Sequence, residues 1–278
     1  MDSELLNFLA AAVIILVAAK LGGYVSIRLG QPWVLGELLV GIILGPTVLN
    51  MLGGWPLFAG DDHLSASLTL FAEIGVILLM FLAGLELDLR DLLRSGRVAG
   101  LAGALGVIVP LAGGFLTARL FGVETVEAIF IGLALSATSV SISAQTLMEL
   151  GVLRSKVGLG LLGAAVFDDI LVVLLLSGAS VVFGAADSGT SLGIILLRMV
   201  LFLVGASAVG VYVVPRLMAR VEELPVSQAV PTAALVLCFL FAWASEALGG
   251  MAAITGAFMA GLFLALSLIH ISEPTRPY

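Results

Sequence analysis

The sequence predicts an all-α polytopic membrane protein, on three observations. Of its 278 residues, 61% are hydrophobic and only 11% charged, with a mean hydropathy of +1.22. An ordinary soluble domain has about 45–50% apolar and about 25% charged residues, so a soluble fold of this length could not hide so much apolar surface. The apolar residues also fall into long runs, and a bilayer-spanning helix needs about 20 of them in succession. Finally, there are 33 glycines, and membrane helices pack closely through small residues.

Nine candidate spans follow one another along the chain. The first, Leu5–Ile27, comes straight after the acidic stretch Met1–Glu4. A secretory signal would start basic and end on a small-residue cleavage site, so this segment reads as a retained helix. Gly30-Gln31-Pro32 ends it, and Trp33–Leu52 follows, with Pro46 expected to kink or end the helix. Gly60-Asp61-Asp62 separates that span from Ala66–Leu87, and Arg90 to Gly96 leads into Val98–Phe121, which contains Pro110. Thr125–Leu150 and Val157–Gly184 are the fifth and sixth spans. Beyond Asp187-Ser188-Gly189 lies Leu192–Leu217, then the charged turn Glu222 to Pro225, then Ala229–Leu248 and Met251–Ala265. Turn formers and charges collect between spans, as they should, and no linker marks a second domain.

Basic residues orient the spans. Taking alternate loops from the end of the first helix gives Arg28, then Arg90, Arg94 and Arg97, then Arg154 and Lys156, then Arg216 and Arg220. The opposite loops hold only Arg119. Cytoplasmic loops carry the excess of Lys and Arg, so the N-terminus is expected outside. Lys20 and Arg198 lie within spans, close enough to an interface to snorkel. The single cysteine, Cys238, can build neither a disulfide framework nor a metal cluster. No basic patch suggests nucleic acid, and no motif calls for a cofactor.

The last residues break the pattern. Leu266-Ser-Leu-Ile-His-Ile-Ser-Glu-Pro-Thr-Arg276 resembles the translation of a transposase adapter used in sequencing libraries. Residues 266–278 are therefore read as a non-native tail, His270 is not read as a ligand, and residues 1–265 are taken as the transmembrane domain. On this reading the natural gene continues beyond Ala265.

The chemistry concentrates in two stretches. Asp168 and Asp169 stand together in Gly163-Ala-Ala-Val-Phe-Asp-Asp-Ile170, in the middle of an otherwise apolar span. One ionised carboxylate at mid-bilayer costs about 2.5–3.5 kcal/mol on insertion scales. Two in succession call for water, an ion or a countercharge. Such a carboxylate can exchange a proton for a cation. Adjacent helical residues point about 100° apart, which disfavours an aspartyl protease, whose two carboxyls must face each other across one proton. One span earlier, Ala137-Thr-Ser-Val-Ser-Ile-Ser-Ala-Gln145 carries Thr138, Ser139, Ser141, Ser143 and Gln145. Ser and Thr can satisfy backbone groups where a membrane helix breaks, and broken helices expose carbonyls and dipole ends to ions. The same hydroxyls can also bond back to the carbonyl four residues earlier in an unbroken helix.

The remaining acids read as interfacial or open. Glu86 and Asp88 are expected to pair with Arg90 or Arg94, and Glu246 and His63 to sit near water. Glu37 and Glu73 could face a cavity or an interface.

Four stretches in order carry a family likeness: Gly36-Glu-Leu-Leu-Val-Gly-Ile-Ile-Leu-Gly-Pro46, Phe81-Leu-Ala-Gly-Leu-Glu86, Ala137-Thr-Ser-Val-Ser141 and Gly163-Ala-Ala-Val-Phe-Asp-Asp169. Together they resemble the bacterial monovalent cation:proton antiporters of the Kef-like and sodium/hydrogen exchanger branch, over essentially all of residues 1–265. The resemblance implies an antiporter fold with inverted-topology repeats. About thirteen transmembrane helices would be expected in all, about nine of them present here. It implies a homodimer in the bacterial inner (plasma) membrane, transporting Na+, Li+ or K+ against H+ with no cofactor. By position it implies that Asp169 binds cation and proton, that Asp168 is the first acid of the pair, and that Thr138, with Ser139, lies at a broken helix. The second broken helix and a lysine partner would lie after Ala265, so the chain as it stands is not expected to transport. Na+/H+ exchange is the leading activity. Potassium/proton antiport, or a regulated potassium efflux system resembling a channel, is the alternative.

Overall fold

A computed structural model describes residues 3–58, 63–87, 89, 96–183 and 192–272. Every regular element among them is helical. They are α1 (Ser3–Arg28), α2 (Trp33–Leu44), α3 (Met51–Gly54), α4 (Leu64–Leu85), α5 (Gly96–Leu120), α6 (Thr125–Ser136), α7 (Val140–Glu149) and α8 (Lys156–Val182), then α9 (Leu192–Ala208), α10 (Val214–Glu222), α11 (Ala229–Ala244) and α12 (Ala253–Ser272). Single π turns, Val209–Val213 and Ser245–Gly249, follow α9 and α11. Large apolar side chains stand exposed along these helices, among them Leu9, Val13, Leu16, Leu101, Leu105 and Leu201. Acyl chains would solvate such surface where water would not.

Among the described residues, seven stretches are long and apolar enough to cross a membrane, against nine expected. The other two, Trp33–Leu44 and Ala253–Ser267, are shorter apolar helices. For the second expected span the cause is local. α2 stops at Leu44 rather than reaching Leu52, because Gly45 turns extended (φ −68°, ψ 178°) and Pro46 has no N–H to continue the ladder. Its 12 residues rise only about 18 Å. Pro110, by contrast, sits inside a continuous α5. α12 runs on to Ser272, through the start of the stretch read as foreign. Residues 273–278 lie outside the described residues, as do Asp61, Asp62, Asp88, Arg90 and Arg94.

The chain divides into two compact units. One comprises residues 1–76 and 145–151. Here α1 crosses α2 at Gly22 and Gly36, where a Cβ on Gly36 would run into the Gly22 carbonyl. Close backbone approach of this kind is what glycine permits in membrane helices. Lys20 Nζ reaches Glu37 Oε1 at 2.9 Å and lies 4.6 Å from the centre of the Trp33 ring. Lys20 is thus paired within the span, and Glu37 is its partner. Glu149 accepts from the N–H groups of Trp33 (2.6 Å) and Val34 (3.5 Å), capping the start of α2. A carboxylate there meets both the unpaired donors and the positive end of the helix dipole. Ala11, Met51, Phe58 and Leu64 form this unit's buried apolar cluster. Glu73 is exposed.

The other unit comprises residues 77–144 and 152–278. Its larger core gathers Phe81 with Met199, Phe202, Met218, Phe241, Met259 and Phe263 from α4 and the helices from α9 onward. α4 and α12 meet backbone to backbone, since a Cβ on Gly261 would strike the Phe81 carbonyl. α8 packs on α5 at Gly103, beside Ala164 and Phe167. Ser155 Oγ accepts from the Gly158 N–H at 3.1 Å and so caps the start of α8. Arg198 donates to the carbonyls of Ala247 and Leu248 in the π turn after α11. Arg154 Nε donates to the backbone oxygen of Glu86 at 2.6 Å. Glu246 and His63 are exposed.

Candidate functional site

The fifth expected span is broken. α6 ends at Ser136, Ala137 is extended (φ −71°, ψ 121°), and α7 begins at Val140. Thr138 and Ser139 therefore lie in the gap between two half-helices. Such a gap leaves the last carbonyls of α6 and the first N–H groups of α7 without helical partners. The hydroxyls are placed accordingly. Ser136 Oγ donates to the Leu133 carbonyl at 2.7 Å, and Ser143 Oγ to the Ser139 carbonyl at 3.3 Å.

Asp168 and Asp169 sit near the middle of α8, whose start is fixed by the Ser155 cap and whose side is fixed by α5. Asp168 is 6% exposed. Its Oδ2 accepts from Thr138 Oγ1 at 2.5 Å, so the break in the preceding span delivers a donor to the acid pair. Its Oδ1 is buried with no hydrogen-bond partner among the described residues. A buried polar atom of that kind calls for an explanation, and a carboxylate oxygen with free lone pairs can take up a proton or a cation. Asp169, half-buried, points elsewhere, as neighbours on a helix must. Its Oδ2 accepts from Thr255 Oγ1 at 3.3 Å. Asp169 and Thr255 share a small cavity walled by Met80, Val140, Leu162, Val166, Ile254 and Phe258. The Asp169 carboxylate meets hydrocarbon on most sides there, where an uncompensated charge is costly.

Three of the four residues expected at the site are thus joined or adjacent: Asp168, Asp169 and Thr138. The fourth, Ser139, has its Oγ 3.3 Å from Ser141 Oγ, within the broken segment. Thr255 was not anticipated. Its one signal in the sequence is that no other side chain of Met251–Ala265 is polar.

Thr138→Val is expected to lower stability by about 1–3 kcal/mol, because it leaves both oxygens of a buried carboxyl without a donor. Thr138→Ser is expected to stay close to wild type. Thermal unfolding of the detergent-solubilised protein measures both.

A family model described as "Sodium/hydrogen exchanger, transmembrane" matches residues 13–275. The Na+/H+-K+ antiporter GerN of Bacillus cereus is 45% identical over 257 residues, covering 92% of this chain and 63% of its own length. The Na+/H+ antiporter of Enterococcus hirae is 39% identical over 258 residues, 92% of this chain and 64% of its own. A glutathione-regulated potassium-efflux system protein, KefC of Enterobacter sp. (strain 638), is 35% identical over 275 residues, 96% of this chain and 41% of its own. The chain therefore spans less than two thirds of the length of these curated relatives.

Proposed function

The chain belongs to the sodium/hydrogen exchanger family, and from that premise we propose that the protein exchanges Na+ for protons across a bacterial inner membrane by alternating access. The observation that carries the reading is the acid pair in mid-span, with Thr138 of a helix break bonded to Asp168. Asp169 is the proposed binding group for cation and proton. Asp168, Thr138 and the Thr138–Ser139 break shape the rest of the site. A proton and a cation compete for the same carboxylates, so loading one expels the other, and only loaded states cross. The two aspartates titrate as a coupled pair.

Two kinds of support converge. The relative at 45% identity is named as a Na+/H+-K+ antiporter and the one at 39% as a Na+/H+ antiporter, whereas the potassium-efflux relative stands at 35%. Carboxylate and hydroxyl oxygens also suit a hard cation. The finer architecture belongs to the same proposal: about thirteen helices in inverted repeats, a homodimer, the N-terminus outside, and the transport domain within residues 1–265.

The test is cation-driven proton movement in liposomes, using the reading frame that contains this chain, with Na+, Li+ and K+ compared. Na+ and Li+ are expected to move protons. Movement with K+ alone would transfer the reading to potassium/proton exchange on the same scaffold. No coupled movement with any of the three would overturn it.

A further inference from the structure

Thr255 lies in the first turn of α12 and is 4% exposed. A hydroxyl buried in an apolar helix normally bonds back to the carbonyl a turn earlier. This one reaches Asp169 on α8 instead, at 3.3 Å. Its position is set by a chain of contacts that does not involve α8. Ser245 Oγ donates to the Ala252 carbonyl at 2.9 Å, and the Met251 N–H donates to the Ser245 carbonyl at 3.0 Å, closing the turn into α12. Arg198 holds the carbonyls of Ala247 and Leu248 just before that turn. A Cβ on Gly256, the next residue, would strike the Phe241 carbonyl, so α12 lies hard against α11 there. The hydroxyl is therefore presented to Asp169 by the turn between α11 and α12, while α8 packs on α5 at Gly103.

We propose that Thr255 is a ligand of the transported cation, supplying the oxygen opposite Asp169. This rests on the exchange proposed above. A threonine hydroxyl has one donor and two acceptor lone pairs. In the structure it donates to the Asp169 carboxylate. With a cation on that carboxylate it turns a lone pair toward the ion. Among the described residues, the other walls of the cavity beside Asp169, Met80, Leu162, Ile254 and Phe258 among them, offer hydrocarbon. Loss of the Thr255 oxygen should weaken binding of Na+ and Li+ and leave the crossing step intact. Loss of an interaction made equally in ground and transition states raises KM at constant kcat.

The experiment compares wild type, Thr255→Val, Thr255→Cys, Thr255→Ser and Asp169→Asn in liposomes, each in the reading frame that contains this chain, reading KM and kcat for Na+-driven proton movement. Val and Cys are expected to raise KM for Na+ by about tenfold, the scale of one hydrogen bond or ligand contact to a charged group, with kcat within about twofold. Ser is expected to restore wild-type KM. A thiol keeps the volume but is a poor ligand for a hard cation, so Cys carries the test if Val fails to fold. Wild-type KM in either folded variant would overturn the proposal, and so would equal losses in Val, Cys and Ser that fall on kcat alone. A wild type that moves no protons with any cation overturns the exchange reading itself, and Thr255 with it. That outcome is distinct from a working exchanger indifferent to residue 255.

Discussion

Asp169→Asn is expected to reduce cation-coupled proton movement by about a hundredfold or more, the scale at which a single positioned proton-transfer group acts, while the protein folds as well as before. The side chains have nearly the same shape, and the Asn oxygen can still accept from Thr255 Oγ1, now 3.3 Å from the carboxylate. What disappears is the charge. An amide neither releases a proton at working pH nor attracts Na+, so neither half of the exchange has a binding group. The fold should tolerate this because an acid in an apolar cavity is a cost, not a support. Thermal unfolding at or above wild type, together with flux at the level of empty liposomes, is the expected pair of results. Folded Asp169→Asn that still exchanges Na+ for protons would remove Asp169 from the site. Loss of flux with loss of folding would show that the side chain holds the helix rather than the ion.

Why the acid pair stands out without coordinates, and the Thr255–Asp169 contact does not, comes down to base expectations for each residue type. A pair of aspartates among some twenty apolar neighbours violates a strong rule about charge in hydrocarbon, so Asp168-Asp169 stood out. Thr138 was legible more weakly. Five polar side chains crowd Ala137–Gln145, which suggests either a break or an ordinary helix with back-bonded hydroxyls, and the extended backbone at Ala137 decides for the break. A lone threonine such as Thr255 breaks no rule, because back-bonding accounts for it. Only the packing of α12 reveals that its partner lies 86 positions away. Glu149 is a similar case. Nothing local singles it out near the end of the span Thr125–Leu150, yet it caps α2 across 116 residues of chain. Spans, turns and the acid pair are local signals. Caps, clamps such as Arg198, and the partners of isolated hydroxyls are set by tertiary contact. The early end of α2 was half legible: Pro46 marked the place, but whether it kinked or stopped the helix depended on Gly45, which leaves the helical region just before it.

Gly261→Leu is expected to damage the fold more than any change at the acid pair. A Cβ at this position would meet the Phe81 carbonyl on α4, with the Leu85 nitrogen only 2.9 Å away. Those are backbone atoms of another helix, which cannot rotate aside as a side-chain tip could. The reciprocal position is as tight, since a Cβ on Gly84 would meet the Phe258 carbonyl and lie 3.0 Å from the Leu262 nitrogen. α4 and α12 must separate to admit any side chain. Overpacking a core typically costs about 1–3 kcal/mol and sometimes more. Here the separation would also open contacts of Phe81 and Met259 in the main apolar cluster, so a loss of about 3 kcal/mol or more is expected. Low yield of folded protein and a large fall in thermal midpoint would register it. Gly261→Ala should show the same defect at smaller size, because its one methyl already meets the carbonyl. α12 carries Thr255 as well, so whatever Gly261→Ala protein does fold should also show weakened Na+ affinity, with Asp169 untouched. Wild-type stability in Gly261→Leu would mean that α4 and α12 do not touch at Phe81, and the placement of Thr255 against Asp169 would lose the packing that supports it.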